Sequence, residues 1–267
     1  MARWLVFLSL FLYVSQARSE DIVLYAAGSL HGALTAVVDD YAKTSGISVK
    51  LVFGPSGLLT DRIEAGETFD LLASADMEHP LKLRKDGLAA AVVLFARNAL
   101  CAFATPDAAL TVDNFAERLL APDVKLGTST PKADPSGDYT WRMFALIDQQ
   151  HPGALTILDA KAQKVMGGAV AGGSSDPNPI ASAFKRGQIN VMIAYCSAAE
   201  QIRKDVAGVN VAPVPEPFAI TSYYGLAIKN HNSAAAIGLA FAILSPEGQA
   251  TLERFGFARV GSISKPQ

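Results

Sequence analysis

The sequence is sparing with cysteine, histidine and charge of either sign. Of its 267 residues two are cysteine, four are histidine and 18% are charged, and the formal net charge is −2. No run of Lys or Arg occurs, which argues against nucleic acid or an anionic membrane as the principal partner. His31, His79, His151 and His231 are scattered and form no zinc-ligand spacing, so no metal centre and no cofactor are expected. There is no G-x-x-x-x-G-K-S/T phosphate loop. The stretch "GPSGL" misses the G-x-S-x-G nucleophile elbow, because its second glycine comes one residue early. Asp39 and Asp40 are helix neighbours pointing apart, not a working carboxylate pair. No catalytic residue is assigned, and the chain is not expected to be an enzyme.

Apolar residues are plentiful instead, at 50% of the chain, enough for a large core in one or two globular domains. Residues 1–19, "MARWLVFLSLFLYVSQARS", join Arg3 to an apolar run from Trp4 to Val14, followed by Ala17 and Ser19 at signal-peptidase spacing. This reads as a cleaved secretory signal, too short to span about 30 Å of hydrocarbon. Cleavage would remove Arg3 and Arg18 and no acid, leaving a mildly acidic protein. No cysteine stands at the cleavage point, so a lipid anchor is not expected. Export permits a disulfide between Cys101 and Cys196. The alternative, two buried thiols, stays open at this level.

Strand and helix patterns alternate from residue 20 onward. "DIVLYAA", "ISVKLVF" and "FDLLASAD" read as strands. Between them lie a helix with Leu30, Leu34, Val37 and Tyr41 on one face and Gly46 as its stop, and a shorter helix closed by Gly66. A third helix, capped by Asp76 and ended by Gly87, completes a βαβαβα series, the signature of a parallel sheet with helices packed on it. Near Leu94 two apolar strands, "LFARNAL" and "LCAFATP", interrupt the rhythm. It resumes with "VKLGTST", a helix carrying Tyr139, Phe144 and Ile147, the glycine-rich "GGAVAGGSSDPNP", a short helix, and the strand "INVMIAY" ending at Tyr195. "VAPVPEPFA" reads as a linker. Beyond it lie one strand, "SYYGLAI", and two helices, the second introduced by Ser245 and Pro246. One strand and two helices make a poor domain, so they are expected to return to the first lobe. The expected organisation is lobe I at 20–97 and 218–267 and lobe II at 98–217, hinged about a cleft. No internal repeat stands out.

Two strands end at serine turns of one kind, "YAAGSL" with Ser29 and "FGPSG" with Ser56. Each would bring a hydroxyl and free helix N–H groups to the C-terminal edge of a parallel sheet, where open α/β folds hold ligands. In the second half "ADPSGDYTW" places Ser136 at a similar junction, and "SSDPNPIAS" places Asp176 and Asn178 before a short helix. A single such serine is ordinarily an N-cap worth about 1 kcal/mol. Four helix starts facing one cleft would instead suit an anion, held by donors without a counter-charge.

The motifs "LYAAGSLHGAL", "VKLVFGPSGLLTDRIEAGETFDLLASAD", "IAYCSAA" and "LSPEGQATLERFGF" resemble the periplasmic molybdate-binding proteins of ABC importers, in order over nearly the whole mature chain. The resemblance implies two α/β lobes of the type II periplasmic binding fold, each a mainly parallel sheet flanked by helices. It implies a tetrahedral oxyanion, molybdate or tungstate, in the cleft, with Ser29 and Ser56 from the first lobe. From the second lobe it implies the backbone at Ser136 and the hydroxyl of Tyr195. It also implies a membrane permease as partner, a periplasmic location and a monomer. The sequence departs from the family at "SSDPNPIAS". Ungapped counting from Tyr195 puts Pro177 where the family offers a backbone N–H, and proline has none. A register slip would make Asn178 the donor. Gly57 and Pro55 also stand where the family often has hydroxylic residues. The departure keeps a second reading, another oxyanion or a small organic acid, beside the first, with a secreted hydrolase as a third.

Overall fold

The structure is a computed structural model and describes residues 21–167, 176 and 178–260. The expected signal peptide and Pro177 lie outside the described residues. In chain order the first elements are β1 (Ile22–Ala27), α1 (His31–Ser45), β2 (Val49–Gly54), α2 (Ser56–Glu64), β3 (Leu71–Ser74), α3 (Glu78–Lys85) and β4 (Ala89–Ala104). There follow α4 (Phe115–Leu120), β5 (Leu126–Ser129), α5 (Pro135–Gln150), α6 (Ala154–Lys161), β6 (Gln163–Met166), α7 (Pro179–Lys185) and β7 (Val191–Tyr195). The last are α8 (Ala199–Asp205), β8 (Asn210–Pro213), β9 (Thr221–Lys229), α9 (Ala234–Leu244) and α10 (Pro246–Arg254).

The strands run in the order β2-β1-β3-β9-β4-β7-β5-β6, with β8 beside β4. β2, β1 and β3 are mutually parallel, as are β7, β5 and β6. β9 and β4 join these parallel sets by antiparallel pairing. This is the mixed α/β architecture expected from the alternating pattern. Local signals set many boundaries. Gly46 ends α1 in the left-handed region, at φ 71°, where a side chain would be strained. Asp76 accepts the His79 N–H at 3.1 Å at the start of α3, and Ser245 accepts the Gly248 N–H at 3.0 Å at the start of α10. One core spans the molecule, from Leu24, Leu34 and Leu71 through Phe95 and Tyr224 to Phe144 and Ile193. Among the described residues no helix is long and apolar enough to cross a membrane.

Three local expectations change. "LFARNAL" and "LCAFATP" are one strand, β4, 16 residues long. It pairs with β9 from Ala89 to Ala99, then with β7 from Leu100 and β8 from Cys101. The polar residues that looked like a break have partners from distant segments. The Arg97 backbone pairs in both directions with Ala258. Buried Asn98 donates to Ser197 Oγ at 2.8 Å and accepts the Ala99 N–H at 2.9 Å. The linker "VAPVPEPFA" begins inside β8, held by β4, and its Phe218 is buried. The stretch between α5 and the glycine-rich loop, left unassigned by pattern, contains α6 and β6.

Cys101 and Cys196 form a disulfide, which settles the pairing that the sequence leaves open. It ties β4 to the residue that follows β7. Its 95-residue separation means that the bond restricts a large loop in the unfolded chain. Cys101→Ala together with Cys196→Ala is expected to lower unfolding free energy by about 2–4 kcal/mol. Denaturant titration with and without reductant checks this; an unchanged midpoint would count against it.

Candidate functional site

Ser56 opens α2 just after β2 and is fully buried. Its hydroxyl accepts the Ala75 N–H at 3.1 Å. The carbonyl of the same Ala75 accepts the Ser222 hydroxyl at 2.8 Å and the Tyr195 hydroxyl at 3.4 Å. Ser56, from the β1–β3 half, and Tyr195, from the β5–β7 half, thus meet at Ala75, beyond the end of β3. Ser29 lies one step away. Its Oγ is 3.0 Å from the Tyr224 hydroxyl, which also receives the Asn98 amide at 3.3 Å. The Tyr195 and Tyr224 rings meet edge to face at 5.6 Å. None of the bonds joining this cluster involves a Lys, Arg or His side chain.

Burial shapes the chemistry of the cluster. It pushes the Tyr195 phenol well above its ordinary pKa, with the neighbouring Tyr224 and Asp134 adding to the shift, and it raises Tyr224 as well. Both phenols keep their protons across ordinary pH and can act as neutral donors. A site of hydroxyls and N–H groups can bind an anion without a neutralising charge, provided the donors are held in place beforehand.

Ser136 and Asn178 are used differently. Asp134 caps α5, and its carboxylate accepts the Ser136 N–H at 3.1 Å and the Ser129 hydroxyl at 2.5 Å. Burial raises the Asp134 pKa against these bonds. The Ser136 N–H is therefore engaged in this conformation. Asn178 caps α7: it accepts the Ala181 N–H at 3.2 Å and donates to Asp205 at 2.6 Å. Nothing links it to Ser29, Ser56 or Tyr195. Ser222, Tyr224 and Asn98, which do join the cluster, carry no local motif and are missed by sequence reasoning.

A further signal was available. The pattern P-S-G-x-x-T occurs at residues 55–60 and again at 135–140. In both copies the threonine hydroxyl donates to the serine carbonyl, Thr60 to Ser56 at 2.8 Å and Thr140 to Ser136 at 2.7 Å. Although no repeat stands out in the sequence reading, these two helix starts are built alike.

The sequence model of the bacterial extracellular solute-binding proteins matches residues 22–258. The chain belongs to this family. An uncharacterized protein of Pasteurella multocida is 33% identical over 76% of this chain and 85% of its own length. The molybdate-binding protein ModA of Mycobacterium bovis is 25% identical over 90% of this chain and 85% of its own. Among solved structures, the periplasmic molybdate-binding protein of Azotobacter vinelandii superposes with a TM-score of 0.69 at 19% identity, covering 92% of this chain and all of that one. The sulfate-binding protein SubI of Mycobacterium tuberculosis gives 0.73 at 16%, covering 91% and 88%. The fold is that of the two-lobed type II periplasmic binding proteins, and solute-binding proteins of this kind serve ABC transporters.

In this solute-binding protein the two halves touch beside the cluster. The Gly57 N–H donates to the Ala133 carbonyl at 3.1 Å. A Cβ on Gly57 would lie 2.5 Å from the Lys132 carbonyl and 3.0 Å from that of Ala133, both backbone atoms. Glycine therefore permits the contact. Close by, His79 Nδ1 lies 2.6 Å from Asp76 Oδ2. Burial disfavours the imidazolium, but Asp76, Glu78 and, from the other half, Asp138 outweigh it and raise the His79 pKa.

Two outcomes are expected. Gly57→Ala should hold the halves apart at a cost of about 1–3 kcal/mol to the closed contact. Small-angle scattering would show a larger radius of gyration, and an unchanged radius would refute the steric argument. For His79, the raised folded pKa makes its stabilising contribution complete below the unfolded value of about 6.5 and lost as pH rises through the folded value. The stability gap between the parent protein and His79→Gln should therefore narrow from pH 6 to pH 8.5 in thermal unfolding. A constant gap would contradict it.

Proposed function

We propose that the protein is a periplasmic solute-binding protein that captures molybdate, or its near-isostere tungstate, between two lobes and delivers it to the permease of an ABC importer. The observation that carries this reading is the meeting of the Ser56 and Tyr195 hydroxyls, from opposite halves, on the Ala75 peptide. The surrounding donors are hydroxyl, amide and backbone groups. A fully ionised dianion wants donors only, whereas a phosphate that keeps a proton also wants an acceptor. The reading places lobe I at 20–97 with 218–267 and lobe II at 98–217, crossing at β4 and again before β9.

Ser29, Ser56 and Tyr195 would supply hydroxyl donors. The Ser136 N–H would join them if Asp134 released it when the anion arrives. Asn178, occupied as a cap, and Pro177 are the weakest members of the set implied by resemblance. Closure on a dehydrated anion would bring the two helix starts together at Gly57 and present the closed form to the permease. SubI, whose name states sulfate, supports a second reading in which the same fold takes another oxyanion.

Calorimetric titration with molybdate, tungstate, sulfate and phosphate at one salt concentration separates the readings. Submicromolar binding of molybdate and tungstate alone is expected. Ser29→Ala, Ser56→Ala and Tyr195→Phe should each weaken that binding by about 1–3 kcal/mol, the worth of a charge-assisted hydrogen bond. Preference for sulfate or phosphate would overturn the molybdate assignment, and unchanged affinity in all three variants would overturn the site.

A further inference from the structure

An open depression of about 510 Å³ lies beside α5, lined by residues of the second half, two of which, Asp138 and Arg142, also line the groove shared with Asp76, Met77 and Glu78. Trp141 lies in its wall and Lys132, Arg142 and Lys164 stand around it. Two of the three cations lie over aromatic rings. Arg142 is set over the Tyr139 ring, 5.5 Å from its centroid, and the Lys164 ammonium over the Trp141 ring at 5.7 Å. Aromatic faces position these two charges in the way that cation–π attraction favours. Among the described residues no carboxylate forms an ion pair with Lys132, Arg142 or Lys164. The two acids of the cavity are bonded to neutral donors: Asp138 accepts the Lys132 backbone N–H at 2.9 Å, and Asp159 accepts the Trp141 indole N–H at 2.9 Å.

The lining therefore carries three positive and two negative side chains, and among the described residues the positive side chains donate to no protein acceptor. A volume in the range of organic-ligand pockets exceeds what a bare oxyanion needs. An aromatic wall adds a surface for a flat apolar body. We propose that this cavity is a second ligand site, for a small anion with a planar organic body such as an aromatic phosphate monoester. Arg142 and Lys164 hold the anionic group and Trp141 packs against the ring. Because every lining residue belongs to one half, occupancy does not require the cleft to close. The proposal uses none of the Ser29, Ser56 and Tyr195 hydroxyls on which the oxyanion reading rests.

The chain has two tryptophans, Trp4 and Trp141. In a Trp4→Phe background the emission of Trp141 reports on the cavity directly. Titration with phenyl phosphate is expected to change that emission saturably, while phenol at equal concentration does so much more weakly. Arg142→Ala and Lys164→Ala should each raise the apparent Kd about threefold, as for partly exposed charge contacts, and the double variant should raise it about tenfold. Ser56→Ala, in the cleft, should leave it unchanged. A non-saturable response, an equal response to phenol, or indifference to both cation variants would overturn the proposal. Loss of the response in Ser56→Ala would also overturn it, by placing the probe in the cleft. All arms are read without molybdate, so failure of molybdate binding in the cleft affects none of them.

Discussion

One strand is common to both halves of the molecule. β4 runs 16 residues, and its first part lies against β9 while its last part lies against β7 and β8. A strand that long must change neighbours without breaking its ladder, and the change happens around Asn98. That side chain is buried, and it bonds to Ser197 and Tyr224 instead of leaving polar atoms unpaired. The position that keeps the strand continuous therefore also connects to the serine and tyrosine cluster. The disulfide from Cys101 to Cys196 anchors the same strand to the turn after Tyr195.

The cluster follows from this frame. A parallel strand delivers its chain to a helix start, and the helix start offers N–H groups and a small hydroxyl. Two such deliveries, at Ser29 and Ser56, come from adjacent strands, because β1 pairs with β2 in register from Ile22 to Ala27. The second half contributes Tyr195 from the end of β7, and the crossing strand β9 contributes Ser222 and Tyr224. The bonds that join it are made by neutral groups: burial keeps the phenols protonated, and Asp134 of the second half is engaged by Ser129 and Ser136. The Lys132, Arg142 and Lys164 charges lie elsewhere, beside α5, where water and aromatic faces solvate them more easily.

Much of this was legible in the residues. The alternation of strand and helix, the glycine stop of α1, the caps by Asp76 and Ser245 and the serines at strand ends are local, and each is fixed by neighbours within a turn or two. The missed features all involve distant partners. The unity of β4 was hidden because Arg97 and Asn98 look like a break until Ala258, Ser197 and Tyr224 are known to meet them. Ser222 and Tyr224 sit in an ordinary alternating strand, and nothing beside them in the chain distinguishes them. Asn178 was the candidate donor only through a register slip beside Pro177; in the structure its side chain caps α7 at the Ala181 N–H and donates to Asp205.

The sequence by itself determined the α/β class, the alternating strands and helices of the first half and the placement of hydroxyls at helix starts. These depend on side-chain periodicity and on backbone preferences that act over a few residues. Tertiary structure alone decided that Ser56 and Tyr195 share the Ala75 peptide, that Cys101 pairs with Cys196, and that Gly57 lies against Lys132 and Ala133 with no room for a side chain. Those contacts bridge 19 to 120 residues of chain and exist only once strand pairing has brought the segments together, so no local pattern encodes them.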